Sequence, residues 1–307
     1  MRITESQDNF VVRKIRYLDA ASALLDLARM RISVMVVLSC AVGYVLAYEN
    51  FDYVRFISAM IGTGLLSSGG CAINCYIERH LDAMMPRTAN RPIPAGVISP
   101  GVALFYGIFL IASGASILFI FNNLMCGALG LSAVAIYLGL YTPLKRVTWL
   151  NTTIGAVPGA IPPLIGWAAA CGEIGLGGWI LFSMLFVWQH THFLPIAWLY
   201  KEDYESAGFQ MLPTVDESTT RTFALTIGTA IILLPLSAML YLDGKSFAGP
   251  SYGVAILIGG LTLVATSVQW RKNPASRKAA RMVLLMSVLY LPALFVAVVL
   301  DRVLAWK

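Results

Sequence analysis

Long apolar stretches alternate with short polar segments along most of the chain. A helix needs about 20 mainly apolar residues to cross the hydrocarbon core of a membrane. The pattern therefore predicts nine transmembrane helices, at about residues 32–48, 54–78, 102–121, 124–141, 151–171, 176–199, 222–242, 252–269 and 282–300. Prolines interrupt the fifth and sixth of them, which membrane helices tolerate where neighbouring helices satisfy the freed backbone groups.

The composition supports the same class of protein. Hydrophobic residues make up 58% of the chain and charged residues only 12%, about half the charged fraction of a soluble globular domain. We therefore predict an all-α integral membrane fold with about nine transmembrane helices around a central cavity. Residues 1–31, which are polar and lack the apolar core of a cleaved signal peptide, are expected to form a cytoplasmic N-terminal segment, and residues 32–300 the transmembrane domain.

The positive charges predict the orientation of the chain. If the N-terminus lies on the inner side, 18 of the 22 Lys and Arg residues fall in inner segments and four in outer segments. Such an excess of inner positive charge is the usual signal of membrane topology. The net charge of +6 is therefore explained by orientation, and we do not interpret it as a sign of nucleic-acid binding.

The inner end of the second predicted span carries an unusual set of polar residues. Asn74, Glu78 and Asp82 are spaced four apart, so on a helix they lie on one face across two turns. Oxygen ligands without sulfur suit a hard cation such as Mg²⁺, which prefers one or two carboxylates together with substrate phosphates. The alternative is that Glu78 and Asp82 only neutralise Arg79 and Arg87 at the membrane surface.

Basic residues follow this motif and recur in a later inner segment. Arg87 and Arg91 come directly after Asp82, and Lys145 and Arg146 lie between the fourth and fifth spans. Arginine is suited to bidentate contacts with phosphate, so we predict that these cations bind a phosphorylated ligand. The alternative is that they serve only as inner-side anchors.

A second charged stretch, residues 190–213, lies at the inner end of the sixth span. Glu202 and Asp203 could supply further acidic ligands to a cation, although an ordinary solvated loop would look the same. His190 and His192 fall within the span, where an ionisable residue is a functional candidate by default. Because they are two residues apart, they point in different directions, and at most one is expected to face a cavity.

Taken together, these stretches resemble the UbiA superfamily of intramembrane prenyltransferases, and within it the heme branch. The resemblance covers roughly residues 25–300 and rests on three motifs in order. The first is similar to Asn-x-x-x-Asp/Glu-x-x-x-Asp followed by Met-x-Arg-Thr-x-x-Arg-Pro. The second is the stretch YTPLKRVTWLNTTIGAVPGAIPPLIGW at 141–167. The third comprises His192-Phe193, Asp203-Tyr204, Ala207-Gly208 and the MLP sequence at 211–213.

The resemblance implies a reaction and its participants. A farnesyl group would pass from farnesyl diphosphate to a vinyl group of protoheme IX (heme b), with addition of water, giving heme O and diphosphate. It also implies that heme O passes to another enzyme, such as a heme A synthase, or to a terminal oxidase. Because no clear presequence is present, we expect a bacterial inner (cytoplasmic) membrane protein.

The resemblance likewise implies roles for the candidate residues. Mg²⁺ would be held by Asn74, Glu78 and Asp82, and Glu202 or Asp203 would supply a further ligand. The diphosphate would be bound by Arg87, Arg91, Lys145 and Arg146. His192 would ligate the heme iron or act on the attacking water.

Two features depart from the family's pattern. Glu78 stands where Asp is common in the first motif, and it keeps the charge with one more methylene. The pair of Asp residues four apart that the quinone branch carries after the sixth span is missing, since Glu202 and Asp203 are adjacent. This absence argues against a second possibility, transfer to an aromatic acceptor in quinone or chlorophyll synthesis.

A function of a different class is transport, in which intramembrane carboxylates carry ions through broken helices. Transporters place such groups near the bilayer midplane. Here the charges gather at the inner ends of the spans, which favours a site for a soluble head group with a lipid tail.

Overall fold

The computed structural model describes residues 20–242 and 249–305. Most of the predicted N-terminal segment, residues 1–19, therefore lies outside the described residues. The helices in these two ranges are α1 (Ala20–Leu27), α2 (Met30–Ala47), α3 (Tyr53–Ile77), α4 (Arg79–Asp82), α5 (Pro100–Phe121), α6 (Leu124–Ala135), a π-helical segment (Ile136–Tyr141), α7 (Thr142–Leu144), α8 (Asn151–Ala160), α9 (Pro162–Cys171), α10 (Leu176–Leu199), α11 (Lys201–Ser206), α12 (Leu212–Val215), α13 (Thr220–Leu242), α14 (Pro250–Lys272) and α15 (Arg277–Ala305).

Nine helical spans in the described ranges are long and apolar enough to cross a membrane, which confirms the prediction from the sequence. The fourth span runs from α6 through the π-helical segment to α7, and the fifth combines α8 and α9. The orientation of the N-terminus stays a prediction. The short helix α1 lies within the segment that was predicted to precede the membrane domain.

Local sequence explains where several spans begin. The side chain of Asp52 accepts hydrogen bonds from the backbone N–H groups of Val54 and Arg55 and caps α3. Ser99 caps α5 and Asn123 caps α6 in the same way. Such side chains satisfy N–H groups that have no partner within their own helix. The fifth span breaks at Ile161, because Pro162 and Pro163 have no backbone N–H to continue it and instead begin α9.

Glycines allow several spans to approach each other closely. A methyl group added to Gly69 would lie 2.7 Å from the carbonyl oxygen of Gly107, and one added to Gly114 would lie 2.7 Å from that of Gly62, so α3 and α5 pack nearly backbone to backbone. Gly166 of α9 likewise lies against the carbonyl of Cys40 on α2. Close packing of small residues is a main source of helix association in lipid, where no hydrophobic force acts between helices.

Successive spans run in opposite directions, so the C-terminal ends of α3, α7 and α10 meet at one end of the bundle. Side-chain and backbone contacts join the segments there. Arg87 lies 3.7 Å from the carboxylate of Asp203, and the backbone N–H of Gln210 donates to the carbonyl of Lys145 at 2.6 Å. Asn151 adds a side-chain hydrogen bond to the carbonyl of Gln210. The sequence placed both charged stretches at inner ends of spans, and the contact between Arg87 and Asp203 shows that they lie at the same end of the bundle.

The tight contact between α2 and α9 generates a prediction. A methyl group at Gly166 would collide with backbone atoms, which cannot move aside as a flexible side chain would. We expect Gly166→Ala to destabilise the protein by about 1–3 kcal/mol, the usual cost of overpacking, measured as a lower thermal unfolding temperature in detergent. Gly228→Ala is the matched control, because an added methyl group there meets nothing within 4 Å, and equal loss in both variants would contradict the prediction.

Candidate active site

A cavity of about 270 Å³ opens at the end of the bundle where these segments meet. Four cationic side chains and two carboxylates line it, which leaves an excess of positive charge suited to an anionic ligand. The lining residues are Arg29, Glu78, Asp82, Met85, Arg87, Thr88, Arg91, Tyr141, Lys145, Tyr204, Phe209 and Met211.

Asp82 is the most deeply placed carboxylate in this lining, with 1% of its surface exposed. Its Oδ1 accepts a hydrogen bond from Arg91 at 2.6 Å, whereas its Oδ2 is buried and has no hydrogen-bond partner. The Thr88 hydroxyl donates to the carbonyl of Asp82 at 2.7 Å and fixes the loop that carries Arg91. A buried carboxylate oxygen without a partner is costly, so this one is available to a ligand.

Glu78 is paired with a cation from a different segment. Lys145 Nζ lies 2.7 Å from Glu78 Oε1 and 4.5 Å from the centre of the Tyr141 ring. Burial by itself lowers the pKa of Lys145, but the neighbouring Tyr141 and Glu78 outweigh it and hold the pKa above the ordinary value for lysine. The lysine is therefore charged at neutral pH, and the pair joins α3 to the segment after α7.

Asn74 lies one helical turn before Glu78, and Asp82 one turn after it. The backbone N–H of Glu78 donates to the carbonyl of Asn74, and that of Asp82 donates to the carbonyl of Glu78. The Thr142 hydroxyl donates to the carbonyl of Tyr137 and accepts from Asn74 Nδ2. This arrangement fixes the Asn74 amide, and its Oδ1 is left buried without a partner. Asn74 itself does not line the cavity.

The donor set fits a magnesium ion that is shared with a substrate. Two buried oxygens, Asn74 Oδ1 and Asp82 Oδ2, have no hydrogen-bond partner, and Glu78 contributes a second carboxylate. In the described part of the chain, no group of three or more His, Cys, Asp and Glu side chains is placed to hold a metal by itself. Mg²⁺ commonly uses one or two protein carboxylates and takes its other ligands from substrate phosphates and water.

The observed ion pairs are not those expected if Glu78 and Asp82 only neutralised Arg79 and Arg87 at the membrane surface. Glu78 pairs with Lys145 and Asp82 with Arg91, whereas that alternative paired the two carboxylates with Arg79 and Arg87. Arg79 instead donates to the carbonyl of Tyr76 and lies over its ring. The cavity cations thus come from several segments and converge on the carboxylates.

Arg87 is held by residues of the second charged loop. Its guanidinium lies 4.4 Å from the ring centre of Tyr204 and 5.1 Å from that of Tyr200, and it contacts the Asp203 carboxylate. Asp203 therefore reaches the edge of the site through Arg87 and does not itself line the cavity. Glu202 is exposed, because the next position on a helix points about 100° away.

Arg146 is exposed too and does not line the cavity. Lys145 and Arg146 were both expected to bind the phosphorylated ligand, but only Lys145 lines the cavity, because these consecutive residues of the turn after α7 direct their side chains differently. Of the candidate cations, the structure brings Arg87, Arg91 and Lys145 to the cavity and leaves Arg146 outside.

Arg29 lines the cavity but was not among the residues singled out from the sequence. It connects α1 to α2 with φ 46° and ψ 57°, the left-handed conformation that residues other than glycine rarely adopt. Its guanidinium lies 3.7 Å from the Cys75 sulfur. The only sequence signal was an Arg next to the start of the first span, which is indistinguishable from an inner-side anchor.

The two histidines of α10 point to different neighbours, as their spacing predicts. His190 is bonded to Thr153 of α8 at 3.0 Å and to the carbonyl of Phe186 at 2.9 Å. His192 is bonded through Nδ1 to the Ser287 hydroxyl of α15 at 2.9 Å. Neither lines the cavity that holds the carboxylates.

Comparison with known proteins identifies the family. Residues 36–290 match the sequence profile of the UbiA prenyltransferase family. The chain belongs to this family. A curated relative, the protoheme IX farnesyltransferase of Solibacter usitatus, is 41% identical over 288 residues, which cover 91% of this chain and 98% of the relative. The protein of the same name from Salinibacter ruber is 39% identical and covers 90% of this chain and 97% of the relative.

Solved structures show the same UbiA fold at low sequence identity. A digeranylgeranylglyceryl phosphate synthase matches with a TM-score of 0.77 at 16% identity, covering 92% of this chain and 98% of the other. A UbiA homologue from Archaeoglobus fulgidus bound to GPP and Mg²⁺ matches with a TM-score of 0.65 at 16% identity, covering 90% and 99%. The family profile and the curated relatives, together with the nine apolar spans of the described ranges, make this chain a multi-pass membrane prenyltransferase.

The different placement of Lys145 and Arg146 gives a matched test in this UbiA-family protein. We expect Lys145→Ala to weaken Mg²⁺-dependent binding of farnesyl diphosphate roughly 10- to 100-fold, because a hydrogen bond to a charged group is worth about 1.5–3 kcal/mol. Arg146→Ala should change the affinity by less than about threefold, as expected for an exposed charge outside the cavity. Calorimetric titration of the purified protein measures both, and equal losses would disprove the assignment.

Arg29 gives a prediction in which stability and binding change in opposite directions. Arg29→Gly removes a cation from the cavity but relieves a left-handed backbone that costs roughly 1–2 kcal/mol in a residue with a side chain. We expect an unfolding temperature at or above that of the wild type, together with roughly tenfold weaker binding of farnesyl diphosphate. A large fall in unfolding temperature would instead indicate that Arg29 mainly stabilises the fold.

Proposed function

We propose that this protein transfers a farnesyl group from farnesyl diphosphate to a vinyl group of protoheme IX, with addition of water, producing heme O and diphosphate. The observation that carries the proposal is the match, across about nine tenths of the chain, to several relatives that bear the name protoheme IX farnesyltransferase. The cavity supports it independently, because it combines an excess of positive charge with two buried carboxylates.

The cationic side chains provide the anion-binding part of the reaction. Arg29, Arg87, Arg91 and Lys145 line the cavity and would neutralise charge that develops on the leaving diphosphate. A diphosphate would compete with Glu78 for Lys145 and with Asp82 for Arg91, which would free carboxylate oxygens for a cation. Mg²⁺ held by Asn74, Glu78 and Asp82 would supply charge stabilisation for the same leaving group.

The covalent chemistry then balances without a redox partner. The bond between the farnesyl C1 and the diphosphate oxygen breaks, and the vinyl group supplies the electron pair for the new carbon–carbon bond. Water adds to the resulting cation on the porphyrin side chain and loses a proton. The apolar surroundings of the spans would keep water from the allylic cation until that bond has formed.

Two alternatives are less well supported. Transfer to an aromatic acceptor would keep the fold, but the relatives described above are named for protoheme. Ion transport would use carboxylates near the middle of the bilayer, whereas Glu78 and Asp82 lie at and beyond the C-terminal end of the second span.

We further propose a bacterial inner membrane as the location and a cytoplasmic N-terminus. The relatives are bacterial, and the distribution of Lys and Arg supports this orientation. Heme O would be consumed by a heme A synthase or built into a terminal oxidase. Farnesyl diphosphate, protoheme IX and the lipid bilayer would be the other partners.

Product analysis tests the proposal. Membranes containing the protein are incubated with hemin under reducing conditions, farnesyl diphosphate and Mg²⁺, and the extracted hemes are examined by mass spectrometry. We expect a hydroxyethylfarnesyl heme from the wild type and a loss of at least 100-fold in Asp82→Ala, which removes a cavity carboxylate. Glu205→Gln is the matched control, since that carboxylate is exposed and paired only with Lys201. Absence of a farnesylated heme with the wild type would overturn the proposal.

A further inference from the structure

His192 lies apart from the diphosphate cavity, yet its surroundings are unusually well defined. We propose that His192 binds the heme iron of the acceptor through Nε2, and that Ser287 and Trp188 are positioning residues that prepare this nitrogen. The inference rests on the proposed function, because it concerns where the acceptor of that reaction binds.

The hydrogen bonds of Ser287 determine which nitrogen of His192 carries the proton. The Ser287 hydroxyl donates its single hydrogen to the carbonyl of Leu284 at 2.7 Å. Its oxygen must therefore accept in the 2.9 Å contact with His192 Nδ1, so Nδ1 carries the hydrogen. In the neutral imidazole the lone pair then resides on Nε2.

Nε2 has no hydrogen-bond partner among the described residues, and the side chain is partly exposed. A histidine whose second nitrogen is fixed by a hydrogen bond is the usual arrangement at a metal ligand, since that bond sets both the tautomer and the ring orientation. An unprotonated nitrogen can donate its lone pair to iron without any transfer of protons or electrons.

Trp188 holds the same imidazole in the plane that Ser287 requires. Its ring is stacked on His192, with centroids 4.6 Å apart and planes 13° from parallel. The indole N–H donates to the carbonyl of Ser287 at 2.8 Å, so Trp188, His192 and Ser287 form one connected unit between α10 and α15. A ring with its face and one nitrogen both fixed loses little further freedom on binding iron.

His190 lacks this free nitrogen. Its Nδ1 is bonded to the carbonyl of Phe186, which can only accept, so Nδ1 must donate. Its Nε2 then accepts from the Thr153 hydroxyl at 3.0 Å. Both nitrogens are therefore occupied, and the two histidines, which their spacing alone did not distinguish, differ in their capacity to bind a metal.

The position of His192 suits an acceptor that must reach the diphosphate site. It lies eight positions before Tyr200, the C-cap of α10, which is a rise of about 12 Å along the helix at 1.5 Å per residue. The Tyr200 ring contacts the cavity residue Arg87. A porphyrin bound at His192 would thus lie along the membrane-spanning part of α10, the helix that leads to the site where the farnesyl group would be released.

Hemin titration of the purified protein, followed by absorption and electron paramagnetic resonance spectra, tests the inference. We expect the wild type and His190→Gln to show histidine-ligated heme, and His192→Gly to lose that signature and regain it when imidazole is added. Ser287→Ala should weaken hemin binding roughly 10- to 100-fold, the usual effect of removing a group that orients a metal ligand. Ser267→Ala is the matched control, because Ser267 is also a buried helical serine but bonds only to the carbonyl of Leu263.

Two results would overturn the inference: an unchanged heme spectrum in His192→Gly, or loss of the signature in His190→Gln with retention in His192→Gly. The product assay above, run on the same preparations, separates this inference from the proposed function. Heme O formation by a wild type whose spectrum does not depend on His192 would remove the ligand assignment and keep the function. Spectral dependence on His192 without heme O formation would support the heme site and reject the transfer reaction.

Discussion

The structure depends on compensating the charge of two carboxylates, Glu78 and Asp82, that are buried at one end of a membrane bundle. An ionised side chain in such a place needs a partner or a polar cavity. Glu78 finds Lys145 from the segment after α7, and Asp82 finds Arg91 from the loop after α4. Because the partners come from separate segments, compensating the charge also fixes how those segments meet and so builds the cavity.

The ion pairs do not satisfy every polar group at the cavity. One oxygen of Asp82 and the amide oxygen of Asn74 are buried without partners, and positive charge exceeds negative charge around the cavity. Such a site is better satisfied by an anion together with a cation than by either alone. The ligands proposed for it, a prenyl diphosphate and Mg²⁺, together have this composition.

The rest of the bundle separates this polar end from an apolar interior. Glycine contacts between α3 and α5, and between α2 and α9, let the backbones of these spans approach closely. The unit formed by Trp188, His192 and Ser287 lies within the spans, about two helical turns from the end of α10. This division suits two lipid-soluble substrates, one with a charged head and the other with an iron centre.

The sequence alone determined the features that depend on local pattern. The nine spans follow from the length of apolar runs, because each helix in lipid must satisfy its own backbone. The spacing of Asn74, Glu78 and Asp82 also gave their helical succession, since one turn is nearly four residues. The alternation of nine spans also predicted that the segments after the second and sixth spans lie on the same side of the bundle.

Only the tertiary structure decided which partners these residues find. Glu78 binds Lys145, which is 67 residues away, and the nearby Arg79 turns to Tyr76. Arg29 reaches the cavity from a left-handed backbone position that no sequence pattern predicts. Arg146 and Glu202 are exposed, whereas Lys145 lines the cavity and Asp203 contacts the cavity residue Arg87. The free nitrogen of His192 depends on Ser287, 95 residues later. Periodicity in the sequence determines which residues share one face of a helix. The direction of a side chain at a helix end, and the tautomer of a histidine, depend on the residues of other helices that contact it.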